Sequence, residues 1–218
     1  MKAPFAMTLK DMIYRSCELN ADRPALAFVD DDPISYRELR EQIEAVMFLM
    51  SEAGIVKGDR VAILSQNMPN WGVAYLAITS MGAVVVPILV DFHVNEILYI
   101  LRHSEAKMVF VSSAQYDKIG YADLDPRVML VALDNFERLP QRASSDKLGE
   151  FIFEQKKQLQ KLSIKARKAN CIIKIKVTED DLASIIYTSG TTGHSKGVRL
   201  SHRNLQHDAC GTCQFQPQ

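Results

Sequence analysis

Residues 187–198 read YTSGTTGHSKGV, and their types suit the gripping of an anion. Thr188, Ser189, Thr191 and Thr192 offer hydroxyl donors, and Lys196 adds a positive charge on a long, mobile stem. Gly190, Gly193 and Gly197 free the backbone to take angles that other residues resist, so that N–H groups converge on a negative ligand. The expected ligand is a polyphosphate. The spacing is not that of a P-loop: counting G-x-x-x-x-G-K-[ST] from Gly190 puts Ser195 where the second glycine belongs and Gly197 where Ser or Thr belongs. A flexible Ser/Thr/Gly linker would share the composition, but apolar segments flank this loop on both sides.

Those flanking segments, 183–187 and 198–201, read as strands. The loop therefore leads into a strand, without the helix N-terminus that helps a P-loop hold phosphate. Upstream, the pattern alternates strands and helices. Residues 25–29 and 34–36 bracket an acidic turn and suit a hairpin. Ser35 and Glu38 form a capping box for a helix with Leu39, Ile43, Val46 and Met50 on one face, ended by Gly54. A strand at 61–64 precedes a helix capped by Asn67 or Asn70 and running through Trp71, Tyr75, Ile78 and Met81, with Trp71 packing into the core. Strands at 84–90, 108–111 and 128–133, and a helix at 95–103 with Ile97, Leu98, Ile100 and Leu101 inward, complete the series. The fold class is α/β, a mostly parallel sheet flanked by helices.

Composition narrows the functional classes. The chain has 218 residues, 47% of them apolar, with 26 basic and 26 acidic side chains, so no net field draws it to nucleic acid or an anionic membrane. Residues 72–90 carry no charge and approach the ~20 residues of a bilayer span, but Gly82 and Pro87 divide them into a helix and a buried strand. The first residues lack the apolar core of a secretory signal. Cys17, Cys171, Cys210 and Cys213 are too few and too irregular for a disulfide framework, and the Cys210/Cys213 pair has no second pair to complete a zinc site. No metal site is expected. Residues 141–177 are rich in lysine and read as an exposed, mainly helical connector. A basic surface for lipid headgroups is the other reading of that segment.

The stretch from Tyr187 to Val198 resembles the signature loop of the adenylate-forming (ANL) superfamily, which holds acyl-CoA synthetases and the adenylation domains of peptide synthetases. Asp181-Leu182-Ala183, residues 200–205, Tyr36-Arg37-Glu38-Leu39, Gly58-Asp59-Arg60-Val61, residues 67–71, Gly82-Ala83 and Val86-Pro87 are similar as well. Within the superfamily the pattern is most similar to long-chain fatty acid–CoA ligases. The resemblance implies two steps: a carboxylate attacks the α-phosphate of ATP, carried with Mg2+, to give acyl-adenylate and pyrophosphate, and CoA then displaces AMP. It implies that Thr188, Ser189, Gly190, Thr191, Thr192, Gly193 and Lys196 hold the phosphates. Ser195 stands where the family usually has proline, and His194 and His202 receive no catalytic role.

The implied layout is an α/β subdomain at 1–140, the basic connector at 141–177, and a phosphate-binding segment at 178–218 that begins a further subdomain. Such ligases run to several hundred residues, and nothing here resembles their adenine-binding motif, ribose-binding aspartate or lid-domain lysine. The expectation is the N-terminal portion of a fatty acid–CoA ligase, unable to complete either half-reaction by itself and holding no complete catalytic set. Its partners would be a fatty acid or other carboxylate, ATP and CoA, with no nucleic acid. It would work in the cytoplasm, with room for peripheral membrane contact. Two alternatives stay open: a short nucleotide-binding or scaffold module of the same fold, and an adenylate-forming enzyme for an aryl or amino acid.

Overall fold

Thr8 opens the first helix, α1 (Leu9–Leu19), by accepting from the Asp11 amide while the Asp11 carboxylate accepts from the Thr8 amide. The sequence reading did not anticipate this helix, although Leu9, Ile13 and Cys17 recur every four residues and are all buried. The computed structural model describes residues 8–28, 31–120, 124–140, 175–188 and 195–206. Strands β1 (Pro24–Leu26) and β2 (Ile34–Ser35) form the expected antiparallel hairpin. Helix α2 (Tyr36–Glu52) starts at the Ser35/Glu38 capping box and buries Leu39, Ile43, Val46 and Met50. Gly54 follows it at φ +79°.

Alternating units come next: β3 (Arg60–Leu64), α3 (Pro69–Ser80), β4 (Val84–Ile88), α4 (Val94–His103), β5 (Met108–Val111), a 3-10 helix (Ser113–Lys118) and β6 (Met129–Ala132). Neither Asn67 nor Asn70 caps α3. Met68 takes that position with no side-chain bond, and Pro69 occupies the first turn, where its missing N–H costs nothing. The Asn70 amide instead donates to the carbonyls of Leu133 and Asp134 at 2.8 and 2.9 Å, tying α3 to the end of β6. Trp71 stacks on Tyr75 with ring centroids 5.1 Å apart, against the core as expected.

Among the described residues seven strands form one sheet in the order β7-β6-β5-β3-β4-β8-β9, where β7 is Arg138–Leu139, β8 is Leu182–Thr188 and β9 is Lys196–Ser201. The pairs β3–β4, β3–β5, β5–β6 and β4–β8 are parallel, and only the flanking strands β7 and β9 run antiparallel. Successive residues bury opposite faces. Val61, Ile63, Val85, Phe110 and Val131 pack with α1, α2 and α3, whereas Ala62, Leu64, Val86, Val109 and Leu130 pack with α4 and the 3-10 helix. From β3 the chain steps to β4 by α3 on one face, then back across β3 to β5 by α4 on the other. That reversal is the switch point of a doubly wound sheet, where ligands bind outside the carboxyl ends of the strands.

Among the described residues no helix is long and apolar enough to cross a membrane. Within 72–90, α3 ends at Ser80, Gly82 turns the chain at φ +74°, and β4 follows.

Gly82 and Gly54 separate backbone strain from crowding. Both have positive φ, but a Cβ at Gly82 would meet Lys57 Cγ at 3.0 Å and Val177 Cγ2 at 3.3 Å, whereas Gly54 has open space. Gly54→Ala is expected to cost about 1–2 kcal/mol of stability for the left-handed backbone alone, and Gly82→Ala more. Urea unfolding of both variants checks the order, and equal losses would show that Gly82 is not crowded.

Candidate functional site

The opening stretch sits on a hairpin. Strands β8 and β9 pair antiparallel, with Thr188 opposite Lys196, Tyr187 opposite Gly197 and Ile186 opposite Val198. The strand-to-strand mounting read from the sequence is therefore correct. Ser189, Gly190, Thr191, Thr192 and Gly193 lie outside the described residues, as does His194. Thr188 and Lys196 flank them on one face of the hairpin, both exposed.

Because β8 runs parallel to β4, meeting it through the Val85–Ser184 pair, its end at Thr188 lies on the carboxyl side of the sheet. Many polar groups on that side are already satisfied. Ser112 Oγ donates to Gln66 Oε1 at 3.0 Å, the Ser113 amide donates to Asp134 at 2.8 Å, and Lys118 donates to the Val90 carbonyl. The Lys196 ammonium, by contrast, makes no hydrogen bond or ion pair among the described residues. A solvated cation beside a Thr hydroxyl suits a mobile anionic ligand.

Gly197 does not fill the role expected of it. It lacks a positive φ, and what it supplies is space: a Cβ there would lie 3.0 Å from Ile185 Cγ2 and 3.1 Å from Tyr187 Cζ. The Tyr187 ring lies over this glycine, 3% exposed, and its hydroxyl is 2.7 Å from His103 Nδ1 at the end of α4. Sequence reasoning assigned Tyr187 and His103 no function, and no local pattern could have joined residues from different elements.

The base of the hairpin is fixed at the opposite end of the sheet. Lys57 donates to Asp181 at 2.6 Å, and the Thr178 amide donates to the same carboxylate. Burial pushes the Asp181 carboxyl up, but the bonds from Lys57 and Thr178 outweigh it and hold the group below its ordinary value. His202, at the start of helical residues 202–206, is fully buried and accepts from the Leu9 amide through Nδ1 at 3.2 Å. Burial pushes its pKa down, with Asp181 and Asp11 opposing. It packs the hairpin's exit against α1, the structural alternative to an active-site role. Ser195, in the place of the family's proline, is buried.

A cavity of about 650 Å³ opens at the amino end of β3, β5 and β6, away from the loop. Its cations are largely committed: Arg60 pairs with Glu105, Arg127 with Asp125 and Lys107 with Asp59. Residues 141–174 of the basic connector, with Cys171, lie outside the described residues, as do Cys210 and Cys213.

Fold and hairpin thus define a doubly wound α/β domain with Thr188 and Lys196 paired at its carboxyl edge. The chain belongs to the AMP-binding enzyme family, whose description matches residues 13–218. It is 33% identical over 188 residues to peroxisomal OPC-8:0-CoA ligase 1 of Arabidopsis thaliana, covering 85% of this chain and 32% of that protein. It is 31% identical over 206 residues to crotonobetaine/carnitine–CoA ligase of Salmonella paratyphi A, covering 91% of this chain and 37% of the relative. ATP-bound MatB from Rhodopseudomonas palustris superposes with a TM-score of 0.72 at 26% identity, covering 97% of this chain and 38% of that one. The chain therefore spans about a third of the length of these relatives. Its α/β fold is the one found in adenylate-forming enzymes, and its relatives include acyl-CoA ligases.

The buried His202 gives a pH dependence whose sign follows from linkage. With its folded pKa below that of the unfolded chain, the unfolded state takes up the proton first as pH falls below roughly 6.5, and stability is lost through that window. His202→Asn keeps an acceptor for the Leu9 amide but cannot titrate. Between pH 7.5 and 5.5 the wild-type unfolding midpoint is expected to fall more than that of the variant, and parallel curves would contradict the assignment.

Proposed function

We propose that the 187–198 hairpin holds the β- and γ-phosphates of ATP in an adenylate-forming acid–thiol ligase whose carboxylate is a long-chain fatty acid. In that reaction the carboxylate attacks the α-phosphate, acyl-adenylate and pyrophosphate form, and the thiol of CoA then displaces AMP. The observation that carries the reading is the hairpin register: Thr188 and Lys196, whose ammonium has no ion pair among the described residues, bracket Ser189–Gly193 at the carboxyl edge of a doubly wound sheet. Donors fixed where negative charge collects are what nucleotidyl transfer requires.

Thr188, Ser189, Thr191 and Thr192 would donate hydroxyls, Gly190 and Gly193 would bring backbone amides close, and Lys196 would neutralise the departing pyrophosphate. Magnesium enters with the nucleotide as part of the substrate. Relatives named for OPC-8:0 and for crotonobetaine or carnitine support the acid–thiol ligase class. The long-chain choice rests on the resemblance of the motifs. The 218 residues alone would hold polyphosphate without completing either half-reaction, since positioning supplies much of the rate and the relatives carry about twice as much chain again. Such an enzyme would work in the cytoplasm, touching membranes peripherally to collect its substrate.

The test is ATP–pyrophosphate exchange by the protein expressed from its whole reading frame, with carboxylates from acetate to palmitate. Exchange is expected with long chains and is expected to fall by about one to two orders of magnitude in Lys196→Ala, as loss of a charge-assisted contact implies. Exchange with short or aryl acids alone would redirect the substrate reading. Wild-type exchange in the variant would remove Lys196 from the site.

A further inference from the structure

Tyr187 is the last buried residue before the loop, and three neighbours hold it. On the adjacent strand Gly197 leaves room for its ring, with Cζ 3.1 Å from where a Cβ would stand. His103 meets the ring edge-on, centroids 5.8 Å apart at 88°, and its Nδ1 lies 2.7 Å from the Tyr187 hydroxyl. Tyr99, one turn earlier on α4, stacks on His103 at 5.4 Å and 24°, so the imidazole is itself held in place. Burial, with Tyr99 adding to it, pushes the Tyr187 phenol up, so the hydroxyl keeps its proton within the hydrogen bond to His103.

The strand alternation gives this clamp its consequence. Tyr187 points to the α4 face, and the next residue, Thr188, points to the opposite, exposed face. Any rotation of the strand end that frees Tyr187 therefore swings Thr188, and with it the paired Lys196, relative to the sheet. Strand β8 meets β4 at the Val85–Ser184 pair, and toward Thr188 its partner on the other side is β9.

We propose that His103 is a positioning residue for the phosphate loop, acting through its hydrogen bond to Tyr187 to fix the direction in which Thr188 and Lys196 face the ligand. The inference rests on the polyphosphate reading of the loop. His103 touches no ligand; it holds the stem at a defined angle, and α4 becomes the element that aims the site.

The test is calorimetric titration of the 218-residue chain with inorganic pyrophosphate, well below its unfolding temperature. His103→Phe keeps a ring against Tyr99 and Tyr187 but loses the nitrogen, and Tyr187→Phe loses the hydroxyl. Each is expected to weaken pyrophosphate binding between about two- and tenfold, the range of one hydrogen bond, and the double variant no further than either single one. His103→Asn, with an amide group near the Nδ1 position, is expected to recover part of the loss. Unchanged affinity in both single variants, with Lys196→Ala weakened, overturns the positioning role and leaves the loop reading intact. Fully additive losses in the double variant also overturn it, because the two groups would then not share one bond. If wild type and Lys196→Ala bind alike, the loop reading falls and the positioning role with it. If His103→Phe does not fold, Tyr187→Phe with His103→Asn decides the matter.

Discussion

The structure depends on one constraint: β3 and β4 are apolar on both faces and must be covered on both. Val61, Ile63 and Val85 point to one side and Ala62, Leu64 and Val86 to the other, all essentially out of solvent. Two parallel strands covered on both faces need helical crossovers of one hand, and covering both faces means that successive crossovers step in opposite directions. The reversal at β3 follows, and it sets the switch point between the carboxyl ends of β3 and β5. β8 completes this arrangement beside β4, and its hairpin delivers Thr188 and Lys196 to the same edge.

Several residues shared with the adenylate-forming pattern prove to be architectural. The Gly58 amide donates to the Gly82 carbonyl at 2.8 Å and the Val84 amide to the Asp59 carbonyl at 2.7 Å, so Gly58-Asp59 and Gly82-Ala83 lace the starts of β3 and β4 together. Asp59 is buried, accepts from the Val56 amide and pairs with Lys107 at 2.7 Å. Lys57, on the same turn, reaches Asp181 at the foot of β8. Gly197, inside the signature loop, serves the Tyr187 ring. These residues of the pattern hold β3, β4 and the foot of β8 together, beneath the stretch proposed to hold phosphate.

Local features were legible in the sequence because they are local. The Ser35/Glu38 capping box, the inward face of α4 and the strand at 108–111 each follow from residues within a few positions of one another. The Thr8/Asp11 box is equally local, three residues apart at the head of α1. Asn70 has a capping residue's chemistry, and only the fold shows that its amide is committed to β6. Strand order, the Tyr187–His103 bond and the His202–Leu9 bond join distant parts of the chain, where no periodicity points. For the candidate site, the loop and its two strands could be read directly, whereas what steadies them could not.

The most direct measurement is a titration of the uniformly 15N-labelled chain with inorganic pyrophosphate, read amide by amide. The account requires the largest shifts at Thr188, Lys196 and the residues between them. Arg102 and Arg127, beside the cavity at the opposite end of the sheet, should stay unmoved. Shifts confined to that cavity, with Thr188 and Lys196 still, would contradict the central claim, because the anion would then be held at the wrong edge of the sheet.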